Sequence, residues 1–305
     1  MPSLRRPRAI PAGARIAIAA PAGPVDPEAL ASGRSALEGL GFETVVTDDI
    51  LDRSGYLAGS DDRRAKELMG FVEDPEVDAI LCARGGYGCH RIIQSLDAET
   101  FRKAAKPLIG YSDITTLLLW QRQQAGLLGI HGPMLERSDA LTGEAGSALG
   151  RMLRGTGPLP RYAGESRKGG RAEGQLIGGS LTICVASLGT PWEIDTRGAI
   201  LMLEEIAEAP YRIDRLLEQL RAAGKFDQVV GVALGTFTDC ADERYPEWTV
   251  TGLLDEILGS LEIPLVSGLP FGHNSANLPW PYAGRAALDG SRGELEILES
   301  AVTTR

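Results

Sequence analysis

Pro107-Leu-Ile-Gly-Tyr-Ser-Asp-Ile-Thr-Thr-Leu-Leu-Leu-Trp120 reads as an apolar strand, a sharp Gly-Tyr-Ser-Asp corner and an apolar helix. A strand-to-helix corner lifts a side chain to the rim of a sheet and turns the free amides of a helix start toward it. Ser112 stands at that corner, where its hydroxyl can act as a nucleophile and the amide of Asp113 can face a developing oxyanion. The competing reading is a plain N-cap, in which the hydroxyl only satisfies an amide of the helix start. Gly110 permits a tight approach, but Ile114 stands where the G-x-S-x-G elbow has its second glycine. The corner by itself therefore leaves both readings open.

Outward from the corner, strands and helices alternate. Arg15 to Ala20 is an apolar strand that ends in Pro21-Ala-Gly-Pro24, and Asp26-Pro27 opens a helix to about Gly39, with the carboxylate as N-cap and proline at the first position. Glu43 to Thr47 follows as a strand, Ser60 opens the next helix, and Val77 to Ala83 is a strand with Arg84-Gly-Gly-Tyr-Gly88 as its exit. Leu127 to His131 reads as one more short strand, and a helix follows from Gly143 to Leu153. This alternation predicts a parallel sheet, with ligands outside the strand C-termini. The glycine loop and the serine corner should then face one crevice.

At 305 residues the chain exceeds one compact core, and two domains are expected. From Arg154 to Arg171 the composition turns to Gly, Pro, Ser and basic residues without periodicity. This predicts a linker over 156–173 between an N-terminal domain, 1–155, and a C-terminal domain, 174–305. In the latter a helix is read over Ser180 to Leu188 and a strand over Ala199 to Glu204, followed by an amphipathic helix over Pro210 to Ala222 and a strand over Val229 to Gly235. A helix over Val250 to Leu258, a strand over Ile263 to Ser267 and two short strands near 285–289 and 294–298 complete it.

Apolar content of 43% with 24% charged residues is that of a globular protein. A net charge of -10 and a pI near 5.0 argue against nucleic acid as a partner, since phosphate recognition wants clustered Lys and Arg. Cys82, Cys89, Cys184 and Cys240 lack CxxC spacing and read as reduced thiols. The basic stretch Arg5 to Arg8 precedes an apolar run, Ile16 to Ala20, too short for a secretory signal, and no segment reaches the ~20 apolar residues that span a bilayer. A cytoplasmic protein with no membrane partner is expected.

Three histidines bound the search for a general base. His273 lies in the polar loop Phe271-Gly-His-Asn-Ser-Ala-Asn277 after a predicted strand and is freest to reach another group. His131, before Gly132-Pro133, suits a hydrogen-bonded structural role, and His90 a cap or packing role. An imidazole near its ordinary pKa of ~6.5 can take a serine proton when an acceptor holds its other nitrogen. Glu204 and Glu205, at the end of a buried strand, are the candidate acceptors, with a merely solvated strand end as the alternative. Arg84 to Gly88 can cradle an anion or supply an oxyanion donor, or can be a plain turn that needs positive φ. It lacks the G-K-[ST] of a phosphate loop and the G-x-G-x-x-G of a dinucleotide site. No H-x-x-x-H, H-E-x-x-H or cysteine pair suggests a metal. Cys82 sits in an apolar strand and Cys89 has no base beside it, which disfavours a cysteine nucleophile. Tyr87, Trp192, Trp248, Trp280 and Tyr282 can line a pocket or equally pack in core and rim.

Taken together, Ala19-Ala-Pro-Ala22, Arg84-Gly-Gly-Tyr-Gly88, Gly110-Tyr-Ser-Asp113, His131-Gly-Pro-Met134, Gly178-Gly-Ser-Leu181, Leu203-Glu-Glu205 with Pro210-Tyr-Arg-Ile-Asp-Arg215, and Gly272-His273 resemble the LD-carboxypeptidase family of serine peptidases along almost the whole chain. That family includes muropeptide tetrapeptidases and microcin C immunity peptidases. The resemblance implies an α/β fold with a flavodoxin-like parallel-sheet N-terminal domain, a C-terminal swivelling β/α domain, a site between them and commonly a homodimer. It implies Ser112 as nucleophile, Glu204 as acidic member and His273 as base, with the amides of Gly86 and Asp113 as oxyanion donors and no cofactor. In the muropeptide branch the leaving group is D-alanine, released from the L-centre of a diamino acid in a small wall peptide. Arg84 is the candidate for its carboxylate, with Tyr87 and Trp280 as further substrate contacts. The stretch Leu278-Pro-Trp-Pro-Tyr-Ala283 departs from the family's Leu-Pro-aliphatic-Gly, which places Trp280 and Tyr282 in a reshaped pocket wall. Leu188 to Ile194 and Pro210 to Arg215 resemble the muropeptide branch more than the microcin branch. Hydrolysis of a peptidyl or aminoacyl nucleotide, and non-catalytic binding of a small peptide, are the alternatives.

Overall fold

The computed structural model describes residues 3–274 and 276–303. They form two compact units: one runs to Gly157 and takes back Leu278–Tyr282 and the residues from Ser300 on, and the other holds Pro158–Asn277 and Ala283–Glu299.

In the first unit, strands β1 (Arg15–Ala19), β2 (Glu43–Val45), β3 (Ala79–Cys82), β4 (Leu108–Gly110) and β5 (Gly129–His131) are parallel and run in the order β2-β1-β3-β4-β5. This is the flavodoxin-like order, with its reversal between β1 and β3. Short runs such as Ala79-Ile-Leu-Cys82 are apolar throughout because helices cover both faces of a parallel sheet. The helices are α1 (Pro27–Gly39), α2 (Asp61–Glu73), α3 (Cys89–Ile92), α4 (Ala98–Ala104), α5 (Thr115–Trp120) and α6 (Gly143–Arg154). Asp26 caps α1 as expected, accepting from the amides of Glu28 and Ala29. Ile16, Ile18, Leu81, Ile109 and Ile130 form a continuous core with Leu37 of α1 and Leu149 and Leu153 of α6.

The loops leaving β1 and β3 lie side by side at the reversal. The Gly23 amide donates to the Gly85 carbonyl at 2.9 Å. Arg64 of α2, with no exposed surface, donates to the carbonyls of Gly88, at 2.9 Å, and of Pro21, and also holds Asp61. Glu67, one turn on, accepts the Ala20 amide at 2.7 Å.

The second unit is one eight-stranded sheet. Its strands are β6 (Arg161–Ala163), β7 (Glu165–Lys168), β8 (Arg171–Ser180), β9 (Ala199–Ile206), β10 (Gly231–Thr238) and β11 (Leu265–Ser267), with β13 (Arg285–Asp289) and β14 (Glu294–Ile297) after a further strand, β12 (Trp280–Tyr282), that belongs to the first unit. The order is β6-β14-β13-β8-β9-β10-β11-β7, with β8 to β11 parallel and the outer pairs antiparallel. Helices α7 (Leu181–Ala186), α8 (Pro210–Ala222) and α9 (Val250–Gly259) complete it.

Two sequence expectations change here. The segment expected to be a linker, 156–173, is mostly strand: β6 and β7 are the two edges of the second sheet, and β8 begins at Arg171. Edge strands carry exposed charge and lack an apolar face, so Glu165-Ser-Arg-Lys168 reads as loop in a periodicity search. The expected C-terminal domain, 174–305, also returns residues 278–282 and 300–303 to the first unit. There β12 pairs antiparallel with β5, Pro281 opposite Ile130, which an edge strand tolerates because only one side of it is bonded.

That strand also sets the surroundings of Trp280. Its indole is 1% exposed and stacks on His131 at 4.6 Å and 15°, with Tyr282 beyond it at 5.6 Å. It packs the edge of the first sheet. Trp280→Ala should lower unfolding stability by about 3–5 kcal/mol, while Trp280→Phe, which keeps a stacked ring, should retain most of it. An unchanged denaturation midpoint in Trp280→Ala would show that the indole does not pack as described.

Candidate active site

Ser112 opens a short 3-10 turn, Ser112–Ile114, that leads from β4 into α5. Its φ is +60°, a left-handed conformation uncommon for a residue with a side chain and characteristic of functional turns. The turn is entered through Tyr111 and no side chain caps it, so the N-cap reading of Ser112 does not hold. Gly110 is needed beneath it, since a Cβ there would stand 2.8 Å from the side chain of Ile114.

The glycine loop meets this corner as the sequence implied. A Cβ at Gly85 would lie 2.7 Å from the Cβ of Ser112 and 2.9 Å from its Oγ, so only glycine lets the loop come this close. Gly86 follows with φ +100°. The Asp113 carboxylate turns inward and accepts the Cys89 amide at 2.9 Å, and burial raises its pKa. Asp113 thereby ties the serine corner to the end of the glycine loop by its side chain. Among the described residues the backbone amides of Gly86 and Asp113 donate to no protein acceptor. Both cysteines of this region are buried, and burial pushes their thiols far up, away from a reactive thiolate.

In the second unit, β9 carries Glu204 and Glu205 to opposite sides, as strand alternation requires. Glu204 has no exposed surface, and its Oε2 lies 2.7 Å from Nδ1 of His273. Glu205 accepts the amides of Thr182, at 2.7 Å, and Ile206, at 2.9 Å, and burial raises its pKa. The two candidate carboxylates are thus distinguished: one holds the imidazole and the other anchors the start of α7.

The loop that presents His273 is held by its neighbours. Gly272, with φ +106°, donates to Oδ1 of the buried Asn277 at 3.0 Å. Thr238 donates to the His273 carbonyl at 2.8 Å, and Asn274 Oδ1 accepts the Asn277 amide at 2.7 Å. A Cβ at Gly272 would stand 2.9 Å from Oε2 of Glu204, so the carboxylate reaches the ring only over a glycine. With Nδ1–H donated to a carboxylate, the tautomer assigned from this contact leaves the Nε2 lone pair as the proton acceptor.

The other histidines take structural places. His90 Nδ1 lies 3.1 Å from the Thr116 hydroxyl, and His131 is buried in the stack with Trp280. Arg84 and Tyr87 line a cleft of about 490 Å³ in the first unit, together with Arg53 and Tyr56. The sequence reading missed Arg53 and Tyr56, which lie in the loop before α2 and carry no motif. Asn277 was quoted there only as the end of the histidine loop; its position two residues beyond Ser275, in a polar loop with two asparagines, was the available signal. Among the described residues, no three or more His, Cys, Asp or Glu side chains converge to hold a metal.

Comparison with known proteins matches the chain in two successive stretches. Residues 16–132 match the LD-carboxypeptidase N-terminal domain, and residues 173–288 match the LD-carboxypeptidase C-terminal domain. The chain is 34% identical to the murein tetrapeptide carboxypeptidase of Pseudomonas aeruginosa, over 92% of this chain and 95% of that one. It superimposes on the crystal structure of muramoyltetrapeptide carboxypeptidase from Oxalobacter formigenes with a TM-score of 0.85 and 30% identity, covering 95% of this chain and 100% of the other. The microcin C7 self-immunity protein MccF of Escherichia coli is 27% identical over 82% of each chain. With both domains present in order and relatives matched along nearly the full length, the chain belongs to the LD-carboxypeptidase family of serine peptidases.

Proposed function

We propose that this carboxypeptidase hydrolyses the L,D-peptide bond that releases the terminal D-alanine of murein tetrapeptides, through an acyl-enzyme on Ser112. The observation that carries the reading is the 2.7 Å contact between a fully buried carboxylate, Glu204, and Nδ1 of His273. A carboxylate in that position costs free energy unless it holds a hydrogen-bond donor, and an imidazole so held keeps its other nitrogen ready for a proton.

In this reading the Ser112 oxygen attacks the scissile carbonyl while its proton passes to Nε2 of His273. The amides of Gly86 and Asp113 donate to the oxyanion, a contribution of about 10²–10³ in rate per donor. Collapse of the tetrahedral intermediate breaks the C–N bond, and His273 returns the proton to the departing amine of D-alanine. Water, activated by the same imidazole, then hydrolyses the ester and restores Ser112. Glu204 fixes the tautomer throughout, and Arg84 takes the carboxylate of the leaving amino acid. No cofactor or metal enters these steps.

Two observations favour murein peptides over a peptidyl nucleotide. Identity to the P. aeruginosa relative exceeds that to MccF, 34% against 27%. Trp280, the aromatic wall that would suit a stacked base, is packed against His131. A homodimer working in the cytoplasm is part of the same proposal, to be checked by sedimentation and cell fractionation.

Purified protein incubated with a murein tetrapeptide should release free D-alanine, with or without a chelator, and Ser112→Ala should lose that release. Persistence in Ser112→Ala, or loss on chelation, overturns the serine mechanism. Glu204→Gln should lower kcat by about 10³–10⁴, because the amide no longer sets the tautomer, while Glu205→Gln stays far closer to the wild type. Gly85→Ala should reduce kcat by about 10² through displacement of the Ser112 hydroxyl, with the fold retained by circular dichroism. Equal loss in the two glutamate variants would mean that Glu204 has no special role at the imidazole.

A further inference from the structure

The cleft of about 490 Å³ in the first unit lies where the strand order reverses, at the ends of β1 and β3, the place where open α/β sheets take ligands. The exit loop of β3 supplies Arg84 and Tyr87, that of β1 supplies Gly23 and Pro24, and the segment before α2 adds Arg53 and Tyr56. Both tyrosines are exposed, and their rings lie 5.9 Å apart at 58°, an aromatic wall in contact with solvent. Among the described residues neither Arg53 nor Arg84 has a carboxylate within ion-pair distance. Arg84 donates to the Pro24 carbonyl at 3.2 Å instead. Elsewhere in the unit Arg15, Arg63, Arg64, Arg91, Arg137 and Arg151 each hold an acid, and Arg34, Arg102 and Arg154 hold hydroxyls or carbonyls outside this cleft. In a chain with 41 acidic and 31 basic residues, two unpaired guanidiniums in one cleft mark a place kept for an external anion.

We propose that this cleft is an acidic-peptide subsite in which Arg53 recognises a second substrate carboxylate, beside the one that Arg84 takes. The proposal rests on the peptidase reading above and names what selects its substrate. A wall tetrapeptide meets the requirement, since it carries carboxylates besides its terminal one. The planar amide groups between them suit the tyrosine wall. Arg53 makes no hydrogen bond or ion pair with the rest of the protein among the described residues, so its loss leaves the fold intact.

The test compares the free-acid tetrapeptide with the same peptide amidated at every carboxylate except the terminal one. Arg53→Gln should lower kcat/KM on the free-acid peptide about tenfold, through KM, with kcat changed by less than about twofold. On the amidated peptide the wild type should already show that loss and Arg53→Gln should add nothing, the signature of a direct pair in a double cycle. Arg151→Gln, which removes the same charge from α6, should change neither. An Arg53→Gln effect that is absent, or equal on both peptides, overturns the proposal while leaving the peptidase reading in place. If the wild type turns over no tetrapeptide at all, that reading falls, and calorimetric titration of the intact protein with the two peptides decides the subsite. Tighter binding of the free acid that Arg53→Gln abolishes supports it, and equal binding sinks it.

Discussion

A guanidinium with no exposed surface is costly unless hydrogen bonds replace its lost water, and the terminal nitrogens of Arg64 find theirs in the backbone of two loops and in Asp61. Its grip on Pro21 and Gly88 brings together the exits of β1 and β3, which are adjacent in the sheet but separated by some sixty residues of chain. The close pass of Gly85 beside Ser112 and the cleft at the strand reversal both depend on that apposition. Asp61 and Glu67 on the same helix extend the arrangement, one to Arg64 and Arg91, the other to the Ala20 amide. Helix α2 is thus the element from which the serine corner and the glycine loop are hung.

In the second unit the arrangement around His273 depends on alternation along one strand. Adjacent residues of β9 point to opposite faces, so two chemically identical carboxylates receive different neighbours and different work. The backbone that faces Glu204 must be bare at position 272 for the contact to form, and Asn277 and Thr238 hold the histidine turn from either side. The geometry therefore belongs to the loop as a unit. Neither the histidine nor the glutamate would be placed by its own strand alone.

Much of this was legible in the chain. Asp26-Pro27 announces a helix through a local hydrogen bond and a fixed φ, and short apolar runs bounded by glycine announce buried parallel strands, because both signals lie within a few residues. The serine corner and the glycine loop could be assigned to one crevice because strand C-termini share an edge. The charged edge strands β6 and β7 could not be read, since their order comes from pairing with partners distant in sequence and not from an apolar face of their own. The packing of Trp280 could not be read for the same reason: its place is set by pairing with His131, nearly a hundred and fifty residues upstream. Glu204 and Glu205 are indistinguishable by type; the family resemblance singled out Glu204, and strand alternation relative to His273 is the physical reason the two differ. Arg53 and Tyr56 look like ordinary loop residues until the loop is folded against the strand reversal.

The return of Leu278–Tyr282 to the first unit has a practical consequence for dissecting this protein. A fragment ending at Gly157 would lack β12 and leave β5 with a row of unsatisfied amides and carbonyls along its open edge, a surface that invites strand pairing between copies. Its His131 would lose the indole that covers it. The first unit is therefore not a separable module: it is finished by a strand that the ribosome delivers only after nearly all of the second unit has been made.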